Sequence, residues 1–339
     1  MLKLFYLFTL ITGSYAHIKV NYDINYEFDY LTEFTDFVTT HNKSYSNKFH
    51  LLNRYLIFAD NMDYINHRNS LNMSHTLAMN KFGDLTFEEF SSLYKGYNGL
   101  SNQSVYHSEH YMTVNCVNYT SIDWRAEGLV SDVKDQSQCG SCWAFSAVAT
   151  MEGAHAKETG NLTSLSEQDL VDCVPDCFGC NGGWPYLAID YVINGSTTNN
   201  TNISGIDTEI SYSYKGFDQS CNFSNSSVGA NFTGLVRIPQ NSTAHLLDAV
   251  LTVGPISVAI DAEEDFQFYS EGIFTSDTCS ETSLDHAVTV VGYGKTSNGT
   301  SFYIIKNSWN TDWGVDGYMY FNADIHDMCG IAQDACYAI

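Results

Sequence analysis

The chain is expected to fold as α+β: a small helical unit comes first, then a helix-rich lobe, then a strand-rich lobe. Three observations predict this. Apolar residues recur at helical spacing between residues 26 and 69, and residues 123–208 are again mostly of helical pattern. From Val228 to Ile339 the pattern alternates as strands around Gly-rich turns, which reads as helices segregated from a sheet. A length of 339 residues allows two or three domains with cores of their own.

The elements follow in chain order. Residues 1–16 begin with Lys3, run apolar from Leu4 to Ile11 and reach small residues at Ser14 and Ala16, the pattern of a secretory signal peptide. Its apolar core is too short for a membrane span, and no later run is long enough, so a lumenal, soluble product without a membrane span is expected. Phe28, Leu31, Phe34, Phe37 and Val38 predict a helix from about Tyr26 to Thr40, and Leu51, Tyr55, Phe58, Met62 and Ile65 predict a second over Phe49–Asn69. The alternation Leu77–Phe82 predicts a strand. Thr86 and Glu89 form a capping box that opens a third helix, with Phe87, Phe90 and Leu93 facing inward. Tyr97–Thr113, rich in Gly, Ser, Asn and His, reads as an exposed, cleavable linker. Beyond it, Trp143–Gly160 carries Ala, Val and Met at helical spacing and ends on a glycine stop.

Charge divides the chain unevenly. Up to Val117 there are 8 basic and 11 acidic residues; from Asn118 onward there are 7 and 28. Such an acidic surface repels nucleic acid and anionic membranes, and its self-repulsion eases as carboxylates protonate, which fits work at acidic pH. Asn-x-Ser/Thr sequons crowd between Asn194 and Asn231, suggesting a face that carries glycans.

The chemistry starts at Gln136-Ser-Gln-Cys139-Gly-Ser-Cys142-Trp143. Cys142 sits at a helix start, where unpaired N–H groups and the positive end of the dipole stabilise a thiolate. Cys139 and Cys142 also form a CxxC, so a redox pair, or zinc ligation with Cys173, Cys177 and Cys180, stands as an alternative. A nucleophilic thiol needs a base that can hold it as an ion pair. His286, at the start of the apolar run Ala287–Gly294, is the candidate. Asn307 follows a predicted strand ending at Ile305 and could orient the imidazole, with Trp309 shielding that hydrogen bond. The Gln136 amide and the Cys142 N–H could hold an oxyanion.

With these residues assembled, the chain resembles the papain-like cysteine proteases, and within them the cathepsin L-like branch. The match includes Cys139-Gly-Ser-Cys-Trp143, a signature given for this family with His and Asn well downstream. Cys180-Asn-Gly-Gly183, Gly254-Pro255, Asn307-Ser-Trp309 and Trp313-Gly314 also match. The resemblance implies a two-lobe fold, a helical left lobe and a β-barrel-like right lobe, preceded by an α-helical inhibitory prodomain. It divides the chain into a signal peptide (1–16), a propeptide (17–117, helical over about 26–96) and a peptidase domain (118–339). The propeptide motif appears as Arg54, Phe58, Asn61, Ile65 and Asn69, with His50 where Glu leads, and as Asn80, Phe82 and Asp84, with Ala78 where Gly is usual. The prodomain would run through the cleft in reverse and leave on acidification.

The resemblance also implies disulfides Cys139–Cys180, Cys173–Cys221 and Cys279–Cys329, with Cys142 free. Cys116, Cys177 and Cys336 remain, with a Cys177–Cys336 bridge as one option. It makes Cys142, His286, Asn307 and Gln136 catalytic. Gly182 and Gly183 would lend backbone to the substrate strand. Trp184, Pro185, Ala259 and Leu284 would wall the pocket for the second residue before the cut, with Asp334 at its base and Asp285 and Trp309 beside the substrate. Leu, Val or Phe should enter, and Arg as well if Asp334 receives it. Implied partners are peptide and protein substrates, the chain's own propeptide and cystatin-type inhibitors. No metal or cofactor is required, and a monomer in a lysosome, a vacuole or the extracellular space is expected. The competing reading is a catalytically silent binding protein of the same fold.

Overall fold

The computed structural model describes residues 30–100, 108–111, 121–195 and 204–339. The signal peptide, Cys116 and part of the sequon cluster lie outside these residues.

Two helices build the N-terminal unit. Helix α1 (Leu31–Thr40) buries Phe34, Phe37 and Val38 against Leu51, Tyr55 and Phe58 of α2 (Lys48–Ser70). The Asn47 side chain caps α2 by accepting the N–H groups of Phe49 and His50. Strand β1 (His75–Leu77) is shorter and earlier than the alternation predicted. The chain leaves it because Asn80 turns inward: its carbonyl oxygen accepts the Phe82 N–H at 3.0 Å, and its amide donates to the Gln267 carbonyl at 2.7 Å. The capping box of Thr86 and Glu89 opens α3 (Phe87–Tyr94) as read, with Phe90 and Tyr94 buried and Phe87 and Leu93 half-buried. Glu89 has a second task, since its other carboxylate oxygen accepts an Arg54 guanidinium N–H at 2.9 Å and ties α3 to α2.

Past the N-terminal unit come strands β2 (Ser108–His110) and β3 (Ile122–Asp123), then helices α4 (Cys142–Thr159), α5 (Glu167–Cys173) and α6 (Pro185–Asn194). Helix α4 ends at Gly160, whose φ of 74° gives the left-handed stop. The rest is strand-rich: β4 (Ile206–Asp207), β5 (Val228–Ala230), β6 (Leu235–Arg237), α7 (Thr243–Thr252), β7 (Ile256–Ile260), α8 (Glu264–Phe268), β8 (Tyr269–Phe274), β9 (His286–Lys295), β10 (Ser301–Lys306), β11 (Tyr318–Asn322) and β12 (Ala335–Ala338). The main sheet follows the path β1-β8-β11-β10-β9-β7-β12-β6-β2, with β3 on β9. That path is open, so among the described residues the sheet of the right lobe does not close into a barrel, within the α+β fold expected.

Two features of this sheet position the site. Helix α4 is clamped onto it: Ser146 donates to the Val288 carbonyl at 2.6 Å, and Thr150 donates to the Pro255 carbonyl at 2.7 Å. The N-terminal unit also joins it, because β1 pairs antiparallel with the edge strand β8. The segment after α3 is not simply an exposed linker. Tyr97 is buried and forms a parallel bridge with Gly183, and β2 pairs parallel with β6.

Candidate active site

Cys142 is the first residue of α4, behind Ser141 at the cap, so its sulfur lies where helix N–H groups are unpaired. His286 opens β9, and Ser146 of α4 is hydrogen-bonded to β9 at Val288, which brings helix start and strand start together. The Ala287 N–H, next to the imidazole, donates to the Cys142 sulfur at 3.4 Å.

Asn307 follows β10 and places its carbonyl oxygen 2.9 Å from Nε2 of His286; the same oxygen accepts the Ser308 N–H at 2.8 Å. An amide oxygen can only accept, so Nε2 carries the proton and Nδ1 is left as the basic nitrogen. Nδ1 has no hydrogen-bond partner among the described residues. Trp309 stacks on the imidazole with ring centroids 4.6 Å apart and is itself fully buried, so water does not reach the His286–Asn307 bond from that side.

Gln136 is held on three sides. Its oxygen accepts the Ser308 hydroxyl at 2.6 Å, and its amide donates to the carbonyls of Cys139 at 2.8 Å and Tyr94 at 3.0 Å. Tyr94 ends α3, and from it the stretch that the resemblance assigns to the propeptide, here called the prosegment, enters the cleft. The Tyr94 carbonyl oxygen thus takes the amide expected to stabilise an oxyanion, and the Trp309 indole N–H points at the same oxygen from 3.3 Å.

The prosegment then crosses Cys142. The Gly96 N–H points at the Cys142 sulfur, and the Gly96 carbonyl accepts the Gly183 N–H at 2.9 Å. A Cβ at position 96 would lie 1.9 Å from the Gly140 carbonyl oxygen, so only glycine passes here. Lys95 reaches Asp285 at 2.9 Å, and the Tyr97 N–H donates to the Asp285 carbonyl at 3.0 Å. Tyr97 packs in one apolar cluster with Trp184, Ala259 and Leu284. Its hydroxyl donates to Oδ2 of Asp334 at 2.6 Å. Gly182 and Pro185 are buried beside this cluster. The residues expected at the site are therefore assembled in one cleft, with the prosegment lying in it.

Burial disfavours charge on both members of the pair. It pushes the Cys142 thiol up, outweighing the N–H groups of Ala287 and Gly96, and it pushes His286 down despite the Asn307 hydrogen bond. Burial thus shifts both groups toward their uncharged forms.

Several residues around the site carried no sequence signal. Tyr214 donates to the Gln136 carbonyl at 2.8 Å and lies 2.6 Å from the Ser141 hydroxyl, bracing the loop before Cys142. Lys134 bridges the buried carboxylates Glu152 and Glu167 at 2.9 and 2.7 Å beneath α4. Arg237 donates to Oδ1 of Asp334 at 2.9 Å. This last pair bears on the expectation that Asp334 receives a substrate arginine, because the carboxylate already has an internal cation.

The three disulfides implied by the resemblance, Cys139–Cys180, Cys173–Cys221 and Cys279–Cys329, are formed. Cys139 is therefore bonded away from Cys142, which removes both the CxxC redox pair and zinc ligation through Cys139 and Cys180. Cys142, Cys177 and Cys336 are free and buried, so the Cys177–Cys336 bridge is not made. No helix among the described residues is long and apolar enough to cross a membrane.

Residues 118–339 match the papain family cysteine protease domain, and residues 34–90 match the cathepsin propeptide inhibitor domain (I29). Digestive cysteine proteinase 1 of Homarus americanus is 44% identical, covering 83% of this chain and 86% of its own length. Cathepsin L of Sarcophaga peregrina is 41% identical over 88% of this chain and 89% of its own. Among solved structures, digestive procathepsin L 3 of Tenebrio molitor larval midgut superposes with a TM-score of 0.82 at 37% identity, over 93% of this chain and 99% of that one. The chain belongs to the papain family of cysteine proteases, as a cathepsin L-like enzyme that carries its propeptide inhibitor domain.

Proposed function

We propose that this chain is the zymogen of an acid-activated endopeptidase in which Cys142 is the nucleophile, His286 the acid and base, Asn307 the group that orients the imidazole, and Gln136 an oxyanion donor. The observation that carries this reading is the path of the prosegment. Gly96 covers the Cys142 sulfur while the Tyr94 carbonyl occupies the Gln136 amide. A backbone carbonyl already sits where a developing oxyanion would need donors, and the parallel bridge to Gly183 lays the inhibitor across the substrate strand.

When the prosegment leaves, water reaches the site and the penalty on both charges falls, so the proton passes from Cys142 to Nδ1 of His286. The thiolate attacks the peptide carbonyl, and its oxygen collects the Cys142 N–H and the freed Gln136 N–H. The imidazolium gives its proton to the leaving amine, which breaks the C–N bond and leaves an acyl-thioester. His286 then takes a proton from water, which attacks the thioester and regenerates the thiol. Apolar residues are accepted in the pocket of Trp184, Pro185, Ala259 and Leu284. The domain division at residues 16/17 and 117/118, passage through the secretory pathway to an acidic or extracellular site, glycan attachment at the sequons and a monomeric state belong to the same reading.

The test is titration of the acid-processed chain with an epoxide that alkylates active-site thiols. One equivalent bound, lost in Cys142→Ala, is the expected result. No labelling after removal of the prosegment overturns the assignment.

A further inference from the structure

The pocket that holds Tyr97 is the part of the site that resemblance describes least well. Its base is a pair, Asp334 and Arg237. Arg237 ends β6 at the register position opposite Cys336 of β12, so it is fixed by the sheet, and its guanidinium lies 4.4 Å from the centre of the Tyr186 ring. From there it donates to Oδ1 of Asp334, and Oδ2 of the same carboxylate accepts the Tyr97 phenol. The Asp334 side chain is only 4% exposed. Each carboxylate oxygen therefore has one partner in the zymogen, an internal cation on Oδ1 and on Oδ2 a hydroxyl that departs with the prosegment.

We propose that Asp334 and Arg237 together make this pocket selective for tyrosine, and against arginine, at the second position before the cleaved bond. The proposal rests on the protease reading above and deepens it. After maturation Oδ1 keeps Arg237 while Oδ2 loses its hydroxyl partner and faces the emptied pocket, to be covered again when a substrate side chain enters. A tyrosine restores the lost hydrogen bond and brings no charge. A phenylalanine fills the same apolar walls but leaves Oδ2 unpartnered, and a site built to bond a hydroxyl discriminates against the analogue lacking it. An arginine brings a second cation toward a carboxylate whose charge is already matched, and it meets Arg237 as a like charge in an apolar surround. Arg237 acts through Asp334 and does not itself need to touch the substrate.

The test uses the mature enzyme, normalised by epoxide titration, on fluorogenic peptides differing only at that position: Tyr, Phe, Leu and Arg. The expected order in kcat/KM is Tyr above Phe by roughly 10-fold and Tyr above Arg by roughly 100-fold. Arg237→Gln leaves Asp334 with an unmatched charge, so the Arg-to-Leu ratio should rise at least roughly 10-fold. Asp334→Ala should bring the Tyr-to-Phe ratio to about one. Should either variant fold poorly, the wild-type ratios decide. Arg cleaved as well as Tyr, or Tyr no better than Phe, overturns the proposal. An unchanged Arg-to-Leu ratio in Arg237→Gln overturns the role of Arg237. Full titration and cleavage of the Leu peptide with flat ratios sinks the specificity alone, whereas no titration and no cleavage of any peptide sinks the protease reading and this proposal with it.

Discussion

Replacing Gly96 by alanine should loosen the zymogen without touching the enzyme it releases. The added Cβ would lie 1.9 Å from the Gly140 carbonyl oxygen and 2.3 Å from its carbon, both backbone atoms with no side chain to swing away. Relief requires the prosegment to lift by about 1 Å or more, an overpacking strain of about 1–3 kcal/mol. Lifting also weakens the Gly183-to-Gly96 hydrogen bond, at 2.9 Å, and the Gln136-to-Tyr94 bond, at 3.0 Å. Each contributes about 1 kcal/mol net. A combined loss of about 3 kcal/mol shifts the opening equilibrium on the order of 100-fold. The assay is the rate at which a small epoxide labels Cys142 in the unprocessed chain at neutral pH, which tracks the open fraction when opening is fast. After maturation the variant should match wild type in kcat/KM, since residue 96 departs with the propeptide. A labelling rate within threefold of wild type would refute the claim that close passage over Gly140 holds the cleft shut.

Three other perturbations test separate parts of the structure. Asn307→Ala removes the acceptor from Nε2 of His286, so kcat should fall roughly 100-fold with a shifted pH profile; a pH–rate study showing less than a twofold change contradicts the orienting role. Asp265 anchors the prodomain, accepting from Tyr64 at 2.7 Å and from Arg68. Burial raises its carboxyl, but hydrogen bonds from His75, Arg68 and Tyr64 outweigh that and bring it down to about 2. Its contribution to docking is therefore present above the usual carboxylate range and lost only as pH falls from about 4 to about 2. Asp265→Asn should speed epoxide labelling of the zymogen equally at pH values from about 7 to about 5, and an effect confined to the acid end would contradict this sign. Asp169 behaves in the opposite sense: burial raises its carboxyl to about 7, so its contribution to stability is full below the usual carboxylate range and disappears as pH rises toward 7. Thermal melts of the mature enzyme should fall over that window, and Asp169→Asn should flatten the fall; a wild-type melting temperature that rises from mildly acid to neutral pH would count against it.

How much of this was legible beforehand depends on the range of each interaction. The capping box at Thr86 and Glu89, the helix beginning at Cys142, its stop at Gly160 and the strand beginning at His286 all rest on residues within a few turns of one another, and all formed as read. The strand expected over Leu77–Phe82 did not extend that far, because alternation alone does not separate a strand from a turn in which Asn80 folds back on the Phe82 N–H. The segment after Tyr94 read as an exposed linker because its polarity was visible and its destination was not.

By itself the sequence nominated Cys142, His286 and Asn307 as candidates, since each stands at the end of a regular element whose pattern is local. The tertiary structure alone decided what those residues face. Tyr97 and Asp334 are separated by 237 positions, and Arg237 and Asp334 by 97. No periodicity couples such pairs; they meet because the prosegment passes Gly96 over Gly140 and because β12 aligns with β6. The burial that disfavours charge on Cys142 and His286 is likewise a product of the tertiary fold. Spacing can nominate a thiol and an imidazole, but only the folded chain decides that both are covered.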